Sequence, residues 1–386
     1  MAVAVQAPQQ PERAIIALPA LPSRMMPQPP HPHPHTSPLP PGFASSAAWP
    51  VLHIDFHTGA SKVFEFTAAD YLRAAFLDER ALAHRPVRGL DTTLADIEQA
   101  LSNAHAEQPP LHWLFHVGHC GSTLISRLLD VLPGLLGLRE PLPLLELAMR
   151  STEPSSPLGR VSQDAFDRDL ALTLNVLRRG FADTRSILVK PTSVVALLGP
   201  ELLSRLPQSR AIGLSMKLRP WLAIMLRDPA LRHGMRQQAP VRIAAWHRLT
   251  GEGALRIHAL DDAQLLAMSW LVQQLQWRAL RAERALAGRL LAIDFDDFLA
   301  DPRSHLFTLA QHIGYAADPV ALAPQRCAEL LARYAKDPAQ RFDADTRRHE
   351  IDTAKRRFAD EIARGMAWAR DALARTGADE LHAALG

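Results

Sequence analysis

The sequence predicts an α/β fold, a mostly parallel sheet covered by helices on both faces. Three observations carry that expectation. Four short apolar stretches, at 113–117, 187–190, 211–216 and 290–295, have the length and residue types of buried strands. Helical patterns of ten or more residues separate them, and parallel strands need such crossovers. The first stretch runs into a small-residue turn, His116-Val117-Gly118-His119-Cys120-Gly121-Ser122-Thr123, and then into a helix and a carboxylate, Glu140.

Composition narrows the function classes. At 386 residues and 47% hydrophobic, the chain can bury a sizeable core. Net charge is only +3, and the arginines lie among Ala, Leu, Asp and Glu along helical stretches, the pattern of solvated helix faces. With aromatic residues at 6%, nothing points to nucleic acid. No apolar run reaches a bilayer span, and no basic-then-apolar leader opens the chain, so the expectation is a cytoplasmic protein without a membrane span. Cys120 and Cys327 are too few for a disulfide framework and suit a reducing compartment.

Residues 1–48 read as a tail. Thirteen of the 31 prolines fall in the first fifty positions, a composition that cannot repay the entropy of ordering. Its His31, His33 and His35 alternate with prolines, and such extended backbone gives a metal no fixed geometry. Residues 49–108 read as an elaboration too small for its own core: a hairpin over 51–66 turning at 57–60, a helix over 68–76 capped by Thr67, a polar connection through Arg88, and a helix over 94–104. The main domain, 109–386, has further helical stretches at 220–227, 243–249 and 262–287, where Leu266, Trp270, Gln273 and Trp277 share a face. Helices follow at 302–313, 324–335 and 346–374.

The turn after the first strand is the candidate site. Gly118 and Gly121 permit close backbone approach and positive φ, and Ser122 and Thr123 place hydroxyls at a helix mouth, as an anion cradle needs. An ordinary strand-to-helix turn with Ser122 as cap fits the same letters. The Gly-Lys-Ser/Thr ending of nucleotide triphosphatases is absent.

His119-Cys120-Gly121-Ser122-Thr123-Leu124 resembles the phosphosulfate-binding loop of the sulfotransferase family, and Leu129-Asp130 with Pro133 is similar to its continuation. A second segment, 291–302, with its Asp294-Phe295-Asp296-Asp297-Phe298-Leu299 and Asp301-Pro302, followed by a helix ending at Ile313-Gly314, is similar to a downstream family segment. The two lie in family order about 170 residues apart. The resemblance covers roughly 111–314. It implies a P-loop-type, three-layer α/β/α fold with extra C-terminal helices. It also implies 3′-phosphoadenosine 5′-phosphosulfate (PAPS) as sulfuryl donor, a small-molecule, glycan or peptide acceptor bearing a hydroxyl or amine, and no metal requirement. Glu140 would be the acceptor's base. Lys190, in Val189-Lys190-Pro191-Thr192, would steady acceptor or phosphate; a surface lysine after a strand is the alternative. The loop, Gly118 to Thr123, would hold the donor, with His119 where the family carries a permanent cation. Met216 and Ile224 stand where the family places the Arg and Ser of the 3′-phosphate site, leaving Lys217 or Arg219 to substitute.

Other residues stay open between two roles. His116 is a second candidate base or a packed strand histidine. Cys120 is a nucleophile activated by a helix terminus or an inert thiol. Asp294 is a metal-site carboxylate or a strand-end aspartate. The basic segment with Tyr334, Lys336, Arg341, Arg347 and Arg348 closes over a nucleotide or merely connects helices. Against the transferase stand a non-catalytic binding module that keeps the fold and an ATP-dependent small-molecule kinase.

Overall fold

The computed structural model describes residues 37–102, 108–333 and 344–386. His31, His33, His35 and residues 334–343 of the basic segment lie outside the described residues. Eight strands form two sheets among them.

The smaller sheet is antiparallel, in the order β1 (Val51–Ile54), β2 (Ala60–Phe64), β3 (Gly89–Thr93). β1 and β2 are the expected hairpin; its turn is held by Asp55, whose Oδ1 accepts the N–H groups of His57 (2.8 Å) and Thr58 (3.2 Å). β3 fills the gap between the polar connection, which ends at Arg88, and the helix from 94, where no element was expected; only Thr92 is buried there and apolar alternation is absent. The helix at 68–73 starts at a capping box between Thr67 and Asp70. The expected tail through residue 48 is too long: Phe43 is 2% exposed, and the Ala47 N–H donates to Gly180 O at 3.0 Å. Arg179, fully buried, clamps this segment by donating to Phe43 O, Trp49 O and Val176 O at 2.9–3.0 Å, with its guanidinium 4.1 Å from the Phe43 ring centroid.

The larger sheet is wholly parallel, in the order β5-β6-β4-β7-β8, and is flanked by helices. Its strands are β4 (Leu111–His116), β5 (Leu135–Arg139), β6 (Ser186–Lys190), β7 (Ala211–Ser215) and β8 (Leu290–Asp294). β4, β5 and β6 are buried at every residue, as strands covered on both faces must be. Four of the five are the expected strands. β5 is not: residues 113–140 read as one strand, a turn and a helix. The helix stops at Leu129, the chain reverses through Gly134 (φ 72°), and Leu-Leu-Gly-Leu-Arg forms an edge strand. Such a short apolar run has no period that separates strand from helix. The correction moves Glu140 from the end of a helix to the carboxyl end of β5.

β4 is central. The chain leaves it for the β5 edge, returns to β6 on one side of β4, then crosses to β7 on the other. Its carboxyl end is therefore the switch point, where open α/β sheets form their crevice. The free edge of β5 is covered by the N-terminal elaboration. The Leu77 N–H donates to Arg139 O (2.7 Å), and the buried Arg139 guanidinium donates to Tyr71 O (2.8 Å) and Ala74 O (3.2 Å) while pairing with Asp130.

Behind the sheet, the helix Asp262–Ala282 begins at a second capping box and buries Leu266, Trp270, Gln273 and Trp277, the expected face. The stretch around 243–249 belongs to a longer helix, Pro229–Thr250. The expected helix over 346–374 is two, Ala344–Arg357 and Ala359–Thr376, broken at Phe358. Among the described residues, no helix is long and apolar enough to cross a membrane.

Candidate active site

The loop after β4 is shaped by three left-handed residues, Gly118 (φ 89°), His119 (φ 51°) and Gly121 (φ 82°). At Gly121 any side chain would have to displace the Phe295 ring, since a Cβ there would lie 2.1 Å from it. The Gly118 N–H donates to His116 Nδ1 (3.0 Å), so the His116 proton sits on Nε2 and is donated to Pro191 O (2.8 Å). His116 is thus the packed strand histidine, tying the loop to the end of β6. Trp221 Nε1 donates to Gly118 O at 2.8 Å and draws that carbonyl inward. Across the trans peptide, the His119 N–H points the opposite way.

The helix Ser122–Leu129 starts without a side-chain cap. Its N-cap is Gly121, and Ser122 is the first helical residue, which removes the reading of Ser122 as cap. The first N–H groups of the helix are left for a ligand, with the positive end of the helix dipole behind them. Thr123 Oγ1 is buried and has no partner among the described residues. Cys120 turns the other way. Its thiol lies 3.5 Å from Leu214 O, is 1% exposed, and is pushed up by burial to about 12, which favours the inert thiol of the two readings.

Glu140 faces this loop because β5 and β6 are in register, with Arg139 opposite Lys190. The Glu140 N–H donates to Lys190 O (2.7 Å), and its carboxylate forms an ion pair with Lys190 Nζ. Thr192 Oγ1 reaches the other carboxylate oxygen at 3.5 Å. Glu140 is the second non-glycine residue with positive φ (53°), so both such residues among those described belong to this site, where strain of this kind concentrates. Lys190 is 1% exposed and not the surface lysine of the alternative reading.

Loop, carboxylate and lysine line one cleft of about 620 Å³. Gly118, His119, Gly121, Ser122 and Thr123 border it together with Glu140, Lys190, Thr192 and Ser193. Phe76 and Arg80, from the N-terminal elaboration, close the Glu140 side. Apolar Ile224, Leu231 and Leu299 and the cations Arg227, Arg333 and Arg347 line the rest.

Lys217 and Arg219 do not reach the cleft. Both are exposed; Lys217 packs near Gly386, and the Arg219 N–H donates to Leu385 O (3.0 Å). Residue 217 immediately precedes the helix Leu218–Arg227, and the face of that helix turned to the cleft carries Ile224, Met225 and Arg227. Arg227 pairs with Glu350 (2.5 Å) and Arg347 with Asp296 (2.8 Å). Arg348 points elsewhere, paired with Asp345 at 3.0 Å. Asp294 lies outside the cleft lining and accepts the Asp296 N–H (2.8 Å) as a helix cap; burial raises its carboxyl, and the strand-end reading holds.

Sequence reading missed Arg227, Ser193, Gln238 and the pair Phe76 and Arg80. For Ser193 a signal existed, a hydroxyl three residues beyond Lys190 on the same strand exit. Phe76 and Arg80 carried none, since their approach depends on the elaboration packing over β5.

No protein-family model matches this chain, and no curated protein does. Among solved structures, the sulfotransferase domain from the curacin biosynthetic pathway is similar over 66% of this chain and 99% of its own, at 14% identity and TM-score 0.36. The sulfotransferase domain from the Synechococcus PCC 7002 olefin synthase is similar over 66% and 97%, at 17% identity and TM-score 0.35. Sulfotransferase STF1 from Mycobacterium tuberculosis H37Rv is similar over 69% and 82%, at 16% identity and TM-score 0.35.

Proposed function

We propose that the cleft transfers a sulfuryl group from PAPS to a hydroxyl or amine of an acceptor. The observation that carries this reading is the buried Thr123 hydroxyl, without a partner among the described residues, at an uncapped helix N-terminus facing the same cleft as the Glu140–Lys190 pair. A buried donor left unmatched by protein is costly, and an oxyanion at the helix mouth answers it. The loop's resemblance to a phosphosulfate loop names the oxyanion. The other half of the donor fits differently from the family pattern: Arg227, three residues beyond Ile224, and Arg347 supply cations at the far wall in place of Lys217 and Arg219.

In this reading the loop N–H groups, Thr123 and His119 stabilise charge on the leaving 5′-phosphate as its bond to sulfur breaks. Glu140 takes the proton from the acceptor as the new bond to sulfur forms. Lys190 holds the carboxylate in place. Calorimetry with adenosine 3′,5′-bisphosphate tests the donor: micromolar binding is expected, and folded protein that binds none at millimolar concentration overturns it. Transfer of label from radioactive donor to an extract of small molecules tests the chemistry. A non-catalytic anion-binding site is the second reading, favoured by Met216 standing fully buried where the family pattern has an arginine. Donor binding without any labelled product would select it.

A further inference from the structure

Four cations that line the cleft are each matched by a carboxylate: Lys190 by Glu140, Arg227 by Glu350, Arg347 by Asp296 and Arg80 by Asp78. Arg242, on the helix Pro229–Thr250 just behind the lining, is not. Its side chain is 1% exposed, and no carboxylate pairs with it among the described residues. One terminal nitrogen donates to Ser193 Oγ (2.9 Å) and to Gln238 Oε1 (2.9 Å), the other to Ser269 O at a long 3.5 Å, and Nε has no partner. Leaving a guanidinium buried and uncompensated is strongly unfavourable.

Both of its side-chain partners line the cleft. Ser193 Oγ stands beside the loop, 3.4 Å from where a Cβ on Gly118 would be. Because Ser193 accepts from Arg242, its own proton points elsewhere, and the hydroxyl donates no hydrogen bond among the described residues. Gln238, its carbonyl oxygen held by Arg242, likewise presents its amide N–H groups. A buried cation has converted two neutral lining side chains into donors.

We propose that Arg242, Ser193 and Gln238 form a relay that completes an oxyanion site beside the Gly118–Thr123 loop, with Ser193 and Gln238 touching the anion and Arg242 a positioning residue acting through them. The bound phosphate- or sulfate-type group supplies the negative charge that Arg242 lacks. This deepens the proposed function and rests on its placing an oxyanion at the loop, but it does not depend on the anion being PAPS.

The test measures binding of inorganic phosphate, inorganic sulfate and adenosine 3′,5′-bisphosphate, by calorimetry and by thermal shift, to the full chain and to Ser193→Ala, Arg242→Met and the double variant. Each single change is expected to weaken oxyanion binding about tenfold, roughly the effect of losing a charge-assisted hydrogen bond. The double variant should lose little more than either single one, because the two act in series. Arg242→Met should leave the ligand-free thermal midpoint unchanged or higher, and Arg242→Lys should recover part of the binding. Unchanged affinity in Ser193→Ala, or fully additive losses, overturns the relay; should Arg242→Met fail to fold, the Ser193→Ala result decides. If wild-type protein binds phosphate or sulfate with this dependence but not adenosine 3′,5′-bisphosphate, the relay stands and the donor assignment falls. If it binds no oxyanion, both fall.

Discussion

Arg179 and Arg242 are equally buried, and burial pushes both guanidinium groups down to about 10, yet they hold different parts of the molecule. Arg179 sends its donors to three backbone carbonyls, from Phe43, Trp49 and Val176, and lies over the Phe43 ring. None of these residues lines the cleft, and every donated bond ends on a group with no hydrogen to pass on. Arg242 sends its best bonds to a hydroxyl and an amide that line the cleft. Burial alone therefore says little about a charged side chain. What its partners can still do decides whether it fastens the fold or tunes a site.

That contrast sorts variants into those that lose chemistry and those that lose the fold. The largest expected effect is chemical. Glu140→Gln should lower sulfuryl transfer by about 10²- to 10⁴-fold, measured by product formation beside calorimetry. It should lower thermal stability as well, because it strips the buried Lys190 of its counter-charge. A comparable loss of adenosine 3′,5′-bisphosphate binding would move Glu140 out of the base role. Arg179→Met comes next, on the fold side. Three buried carbonyls lose their donor, so denaturant unfolding should report a loss of about 3 kcal/mol or more, whereas Arg242→Met loses none. Equal losses for the two would break the comparison. Gly121→Ala combines positive φ with the Phe295 ring and should cost about 1–3 kcal/mol together with anion binding. Thr123→Val keeps the shape and removes only the hydroxyl. It should bind phosphate about tenfold more weakly while unfolding at an unchanged or higher temperature. Smallest is a null result: Cys120, its thiol raised to about 12, should resist iodoacetamide at pH 8 under native conditions and react fully once unfolded.

The parts legible in the sequence were those with a strong local signature. Four of the five parallel strands, the Thr67 cap, the loop glycines and the buried face of Leu266, Trp270, Gln273 and Trp277 all follow from spacing and residue type. The misses share a physical cause. β5 is five residues long with a glycine at its centre, so neither length nor period distinguishes it, and only pairing with β6 makes it a strand. Lys217 and Arg219 sit at the expected chain distance, but the helix phase that begins at Leu218 turns Arg227 to the cleft instead. Arg242 reads as one more arginine on a solvated helix face. Its burial comes from the neighbouring helix Asp262–Ala282, roughly thirty residues downstream in the chain.

The covering of β5 carries one more consequence. Leu77 bonds to the carbonyl of Arg139, and the Arg139 side chain is anchored on the carbonyls of Tyr71 and Ala74. A shortened protein beginning at the parallel sheet would uncover a flat, apolar strand with its hydrogen-bonding groups unpaired, next to a guanidinium stripped of two acceptors. Such an edge recruits copies of itself. Trimming the first hundred residues in search of a minimal catalytic unit should therefore yield aggregates, while a cut at residue 36 or earlier leaves the seal intact.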